Sequence, residues 1–282
     1  MEPTPLIVNV ALTGMVPMPD RVPGVPVTTE SILADVERCA ALGASVFHVH
    51  ARDEAGEPDW RRERTAPIVE GIRAIDPHLV VCATTSGRLE SAVDRRADVL
   101  ELEGAARPDM ASLTLGSNNF RFSASVNPPD VIEELARRML DRGIRPELEV
   151  FEPGMAAFGR VLAERGLIPE PAYVNVLLGS PGTSPLTIPT LGAVLAEIPA
   201  GWSWALAGIG RHQLDANLLA IAIGGHVRVG VEDNVWFDRG RTTPATNPEL
   251  VERIIAAAAI AERPVASPAL TRELLELPDP GG

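Results

Sequence analysis

Two cysteines, Cys39 and Cys82, are all that the 282 residues contain, too few for a disulfide framework. Their settings, ERCAALG and LVVCATT, read as a helix face and a buried strand, so both are expected as free core thiols in a reducing, cytoplasmic compartment. Positive charge is also short. Lys and Arg number 25 against 38 Asp and Glu, a formal charge of −13; a phosphate-tracking surface would oppose that field, so no nucleic-acid partner is expected. Long apolar runs are missing too. The stretch Ile254 to Ala261 is alanine-rich, short and flanked by charge, whereas a helix crossing a bilayer core needs about 20 apolar residues. The opening MEPTPLIVNVALTGMVP has Glu2 and no basic residue before its apolar run, which argues against a signal peptide. No membrane partner is expected.

Apolar residues make up 45% of the chain, enough for one large core. Apolar, β-branched runs recur, bounded by Gly, Pro or polar residues and separated by segments of helical period. Candidate strands are Leu6 to Leu12, Ser45 to His50, Leu79 to Ala83, Met110 to Leu113, Glu147 to Phe151, Ala172 to Leu177, Trp202 to Ala207 and His226 to Val231. About eight strands in βα alternation is the count that closes a TIM barrel. An open doubly wound sheet would show the same alternation, but the first strand is followed by TGMVPMPDRVPG, too proline-rich to open a helix on a glycine fingerprint. The expected fold is therefore α/β, a single (β/α)8 barrel over residues 1–282, with 263–282 a C-terminal appendage or subunit contact. Helices are expected over Thr28 to Leu42 with Thr29 as cap and Gly43 as stop, Pro128 to Arg142, Arg211 to Ile223 and Pro248 to Ile260. Ile132, Leu135, Ala136 and Met139 should form an inward stripe.

Residues two apart on a strand face the same way, so the imidazoles of His48 and His50 can converge on one ion. The alternative is two coincidental histidines, but their place at the end of the second strand, followed by the turn residues Glu54, Ala55 and Gly56, is where barrel enzymes set their catalytic groups. In GGHVRVGVEDN, His226, Arg228, Gly230 and Glu232 share one parity, and Glu232 and Asp233 stand together at the strand's mouth. Adjacent carboxylates beside an arginine are costly to bury without a cation or partner. They form an ion-pair ring, an exposed turn or, with His48 and His50, a metal site. Two imidazoles and a carboxylate make a common catalytic zinc set, and non-haem iron uses the same ligand types. Asp233 is then the candidate general base, with Arg228 favouring its charged form. Loops at strand ends (Thr84 to Arg88 with Ser86 inside it, Ser112, Gly116 to Asn119, Gly179 to Ser184, Gly208 to Gln213) offer hydroxyls and backbone N–H groups to carboxylate or phosphate oxygens, or are only turns.

HVHARDEAGEPD, TTSGR, MASLTLGSNNF, ELEVFEPGM, LLGSPGTSP, WALAGIGRHQL and GGHVRVGVEDNVW occur in this order, and the chain resembles the β-keto acid cleavage enzymes, whose type member acts on 3-keto-5-aminohexanoate. The resemblance implies a zinc-dependent barrel, usually a homo-oligomer (dimer or tetramer), that converts a β-keto acid plus acetyl-CoA into acetoacetate and a new acyl-CoA. It also implies that His48, His50 and Glu232 hold the metal, that Asp233 is the base tuned by Arg228, that the hydroxyls of Thr84 and Ser112 meet substrate, and that Glu149 lies in the pocket. The type member has TGAE after its first strand; here Thr13-Gly14-Met15-Val16 puts valine where the glutamate faces an ammonium. A neutral, apolar or anionic β-substituent is expected instead of an amine, with Glu149 as the acid that could compensate for the missing glutamate. The same ligand set would also serve a metal-dependent aldolase or hydrolase that needs no CoA.

Overall fold

The computed structural model describes residues 3–18, 22–120 and 123–280. Eight parallel strands close into a barrel: β1 (Val8–Ala11), β2 (Val46–Val49), β3 (Val80–Ala83), β4 (Met110–Thr114), β5 (Arg145–Val150), β6 (Tyr173–Leu178), β7 (Ser203–Gly208) and β8 (His226–Val229). Each pairs with its neighbours in sequence, and β1 closes the ring against β8 with Asn9 opposite Arg228. Closure excludes the open doubly wound sheet. Most strands are apolar runs because both faces of a barrel strand are covered, whereas Arg145–Val150 and His226–Val229 alternate apolar residues with charged or polar ones that face the interior.

The helices pack outside. Pro129–Asp141 buries Ile132, Leu135, Ala136 and Met139 as the three-four spacing requires, with Ile132, Leu135 and Met139 worth roughly 1.5–3 kcal/mol each when fully buried. The first helix spans Thr29–Leu42, and its cap is Thr28, one residue earlier than the sequence suggests. Ser31 decides this: its N–H donates to Thr28 Oγ1 at 3.2 Å while its hydroxyl accepts from the Thr28 N–H at 3.0 Å, a reciprocal cap that Thr29 would lack. The helix expected from Arg211 starts at Gln213, after a 3-10 turn over Gly210–His212. The last large helix starts at Asn247, capped by Thr246 with Glu249.

Residues 263–277 pack into the base of the barrel and do not form an appendage. Leu6 exchanges backbone hydrogen bonds with Pro264 and Ala266 at 2.7 and 2.9 Å. Ala266, Leu275 and Leu277 are buried against Ile7, Val46, Val80 and Met110, closing the N-terminal end of the interior. Polar contacts fix the plug: Thr271 reaches Ser45 at 2.8 Å and Arg272 pairs with Asp109 at 2.9 Å.

Candidate active site

Period two along the strands sorts the interior into layers. Above the apolar floor lie Asn9, His48, Cys82, Ser112, Glu147, Asn175 and Arg228, and one step higher come His50, Thr84, Thr114 and Glu149. At the C-terminal end the barrel opens into a cleft of about 440 Å³, lined among others by His48, His50, Thr84, Glu149, Arg228 and Asp233.

His48, His50 and Glu232 meet. The two Nε2 atoms lie 3.1 Å apart, and Glu232 places Oε1 3.3 Å from His50 Nε2 and Oε2 4.0 Å from His48 Nε2. Two imidazole lone pairs do not face each other at that distance without a proton or cation between them. Zinc–nitrogen bonds of about 2.0–2.1 Å in tetrahedral geometry would set the nitrogens about 3.3 Å apart. Glu232 Oε2 is buried with no hydrogen-bond partner among the described residues, the state of a ligand oxygen awaiting a cation. The donor set therefore fits a divalent metal.

Gly14 makes room for this carboxylate. It sits at φ +66°, and a Cβ there would lie 2.6 Å from Glu232 Cγ, so a side chain would suffer both backbone strain and collision. Arg52 anchors the same loop, donating to the carbonyls of Gly14, Pro17 and Gly56. Asn247, fully buried, ties the strand ends together: it accepts from the Val231 N–H at 2.9 Å and donates to Leu12 O at 3.0 Å and Asp35 at 2.8 Å.

Glu147 was not singled out by sequence, yet it orients His48. Fully buried, it accepts from His48 Nδ1 at 2.7 Å, from Asn9 Nδ2 at 2.7 Å and from the Cys82 thiol at 3.1 Å. A proton held on Nδ1 leaves Nε2 free to face the cleft. Burial alone would raise the Glu147 carboxyl, but His48 and Arg228 bring it down to about 2. Burial opposes a charge on both imidazoles; at His48 the Glu147 carboxylate reverses this and lifts its proton affinity, whereas at His50 burial prevails. His48, Cys82 and Glu147 also cluster closely enough for a second ion. That cluster is better read as hydrogen bonds: Glu147 Oε2 already receives the imidazole and the thiol, and Arg228 stands 3.8 Å away. Burial beside Glu147 pushes the Cys82 thiol well up, so its strand is apolar but its immediate neighbour is not.

Arg228, 1% exposed, faces four carboxylates: Asp233 at 3.0 Å, Glu232 at 3.1 Å, Glu149 at 3.5 Å and Glu147 at 3.8 Å. Burial penalises its charge, but these partners hold it fully protonated. Burial would raise the Glu232 carboxyl, yet His50, Arg228 and His48 hold it well below the carboxylate range. Asp233 ends on the other side: burial, aided by the Glu232 charge, raises it despite the Arg228 hydrogen bonds. Arg228 thus limits the rise without setting the direction, a different balance from the one sequence suggests.

Thr84, Ser86, Glu149 and Val16 line the cleft. Ser112 does not; it lies one layer lower, where its hydroxyl accepts from the Thr85 N–H at 3.1 Å, and Thr85 in turn donates to the Ser112 carbonyl. The hydroxyl at the cleft wall on this strand belongs to Thr114, which donates to Glu149 at 2.6 Å. Two residues along the same face, Thr114 was readable from MASLT once the depth of the layer was known. A two-stranded ribbon, Asn118–Asn119 with Ala124–Ser125, follows the fourth strand and brings Phe120 and Ser125 to the cleft.

The curated relatives cover nearly the whole chain. A 3-keto-5-aminohexanoate cleavage enzyme from Fusobacterium nucleatum is 34% identical over 273 residues, 96% of this chain and 98% of that protein. A 3-oxoadipate:acetyl-CoA acetyltransferase from Cupriavidus necator is also 34% identical, over 97% and 95% of the two chains. Among solved structures, the apo form of ObcA superposes with a TM-score of 0.80 at 18% identity, over 90% of this chain and 66% of that one, a likeness of fold alone. The family model described as beta-keto acid cleavage enzyme matches residues 5–277, from the first strand through the plug that floors the barrel. With relatives of this identity aligned along nearly their full length, the chain belongs to the beta-keto acid cleavage enzyme family.

Proposed function

We propose that the protein is a zinc-dependent acyltransferase that condenses a β-keto acid with acetyl-CoA and releases acetoacetate and a new acyl-CoA. The observation that carries the reading is the convergence of His48, His50 and the unpartnered Glu232 oxygen on one point of the cleft, beside an Asp233 carboxylate whose proton affinity burial has raised. Zinc held by these three ligands would supply positive charge to the keto acid's oxygens, lowering the cost of a carbanion at C2.

Asp233 is the group placed to take the C2 proton. A base works best when its proton affinity approaches the working pH, and Arg228 keeps the carboxylate oriented through Nε and the adjoining nitrogen. The C2 carbon then attacks the acetyl thioester and CoA leaves as thiolate. The thiolate adds to the former keto carbon, the C2–C3 bond breaks, and the proton returns as acetoacetate departs. No enzyme thiol is needed: Cys82 is buried against Glu147, and Cys39 is buried outside the cleft. Thr84, Ser86 and Thr114 present hydroxyls to substrate oxygens, while Ser112 supports the loop from below. Val16 favours a neutral, apolar or anionic β-substituent. We place the enzyme in the cytoplasm as a homo-oligomer, with small-molecule keto acid and CoA thioester as its partners; no described helix is long and apolar enough to cross a membrane.

The test is a panel of β-keto acids incubated with the zinc-loaded protein, with and without acetyl-CoA, monitored for acetoacetate. Acetoacetate that requires both the thioester and the metal is the expected result. Cleavage indifferent to acetyl-CoA would mark a metal-dependent aldolase or hydrolase instead.

A further inference from the structure

Arg88 ends the Thr84–Arg88 segment and lines the same cleft as the metal ligands. Its guanidinium lies over the Phe120 ring, 4.3 Å from the centroid, and its Nε donates to Ser123 Oγ at 3.3 Å. Stacking and one hydrogen bond fix the group while leaving its two terminal nitrogens without a partner among the described residues. Arg96 lies behind the same segment, donating to Thr85 O at 2.9 Å and to Asn127 at 2.7 Å, with its remaining nitrogen buried and unpartnered. Neither arginine pairs with a carboxylate among the described residues, although acids outnumber bases 38 to 25 in the chain. The contrast with Arg228 and its four carboxylates is direct. Burial draws down the proton affinity of both, Arg96 to about 10, as expected of cations that lack a counter-charge.

The cleft's acids form no ion pair with Arg88 among the described residues, and Glu232 supports its charge only from a distance. Glu232 and Asp233 are bound to Arg228, and Glu149 accepts from Thr114 and faces Arg228. A committed Glu149 is also unable to replace the glutamate that Val16 lacks, so an ammonium would find no partner there.

We propose that Arg88 is the specificity-determining residue of the cleft, selecting β-keto acids whose far end carries a second carboxylate. This rests on the keto-acid reading above and narrows its substrate. A planar guanidinium whose two terminal nitrogens are free receives a carboxylate through paired, charge-assisted hydrogen bonds. The second carboxylate takes no part in the chemistry: the C2–C3 bond breaks as before, acetoacetate leaves, and the acyl-CoA formed ends in a carboxylate.

The experiment compares the zinc-loaded enzyme with Arg88→Met and Arg88→Lys on two β-keto acids of equal chain length, one ending in carboxylate and one in methyl. The wild type is expected to favour the diacid by about 10- to 100-fold in kcat/KM, through KM. Arg88→Met should lower kcat/KM about 10- to 100-fold more for the diacid than for the monoacid, erasing the preference, and Arg88→Lys should restore part of it. Calorimetric titration with glutarate against pentanoate reads the subsite without turnover and should give the same order. A wild type indifferent to the second carboxylate, or an Arg88→Met loss equal for both ligands, overturns the role of Arg88. Absence of turnover with an intact glutarate preference would sink the reaction and leave the subsite standing.

Discussion

The two ends of the barrel interior are built from the same strands and are opposite in polarity. At the N-terminal end Ile7, Val46, Val80 and Met110 meet Ala266, Leu275 and Leu277 in an apolar plug. Two residues further along those strands stand Asn9, His48, Cys82 and Ser112, and two further again His50, Thr84 and Thr114. One pleat step separates a floor that stabilises the fold from a layer that costs it. Buried charge persists only when compensated, and here Arg228 is compensated by four carboxylates while Glu232 Oε2 has no hydrogen-bond partner among the described residues. The lesson is a division of labour along each strand.

The sharpest way to break this division is Asp233→Asn. Turnover should fall about 10³-fold with metal content and melting temperature little changed; a loss of activity that merely tracks unfolding would erase the distinction between the two ends. At the floor, Met110→Ala should cost about 2–4 kcal/mol of stability in urea titrations and leave kcat/KM within about twofold. A comparable drop in kcat/KM would mean that the floor takes part in the site.

Glu147→Gln probes the layer between them. It keeps the size but gives up the charge on His48, and should weaken metal affinity about 10- to 100-fold, read by competition with a chelator. Unchanged affinity would make Glu147 a packing residue.

The smallest effect is at His226, where the eighth strand begins. Its Nδ1 accepts from the Ile7 N–H at 3.1 Å, and burial, aided by the Arg263 charge, lowers its proton affinity from 6.5 to about 3. The folded value lies below the unfolded one, so the unfolded chain binds the extra proton. Stability present above pH 6.5 is therefore lost as pH falls toward 3, by about 1.4 kcal/mol per unit. Denaturant titrations at pH 7 and pH 5 should give a drop about 2 kcal/mol larger for the wild type than for His226→Asn; equal slopes would show that the imidazole titrates alike in both states.

Much of this was legible from local pattern. The eight strands appeared as apolar runs between turn residues, and the stripe Ile132, Leu135, Ala136 and Met139 is buried as its spacing requires. His48 and His50 stood out because two-residue spacing fixes a shared face wherever the strand lies. Ser112 and Thr114 share a face in the same way, but which of them reaches the cleft depends on depth, and depth follows from the register that sets Thr114 opposite Glu149. Glu147 was missed because its partner His48 lies 99 residues away, and no spacing rule reaches that far.

By itself the sequence determined which residues share a face, where helices stop and how many strands the barrel has, since each follows from backbone geometry over a few residues. Only the tertiary structure decided which layer each inward residue joins, that Ala266, Leu275 and Leu277 floor the barrel, and that Arg88 stands without an ion-pair partner among the described residues. Closure sets the relative heights of all eight strands at once, and height along the barrel axis decides whether a side chain meets oil, another charge or the substrate.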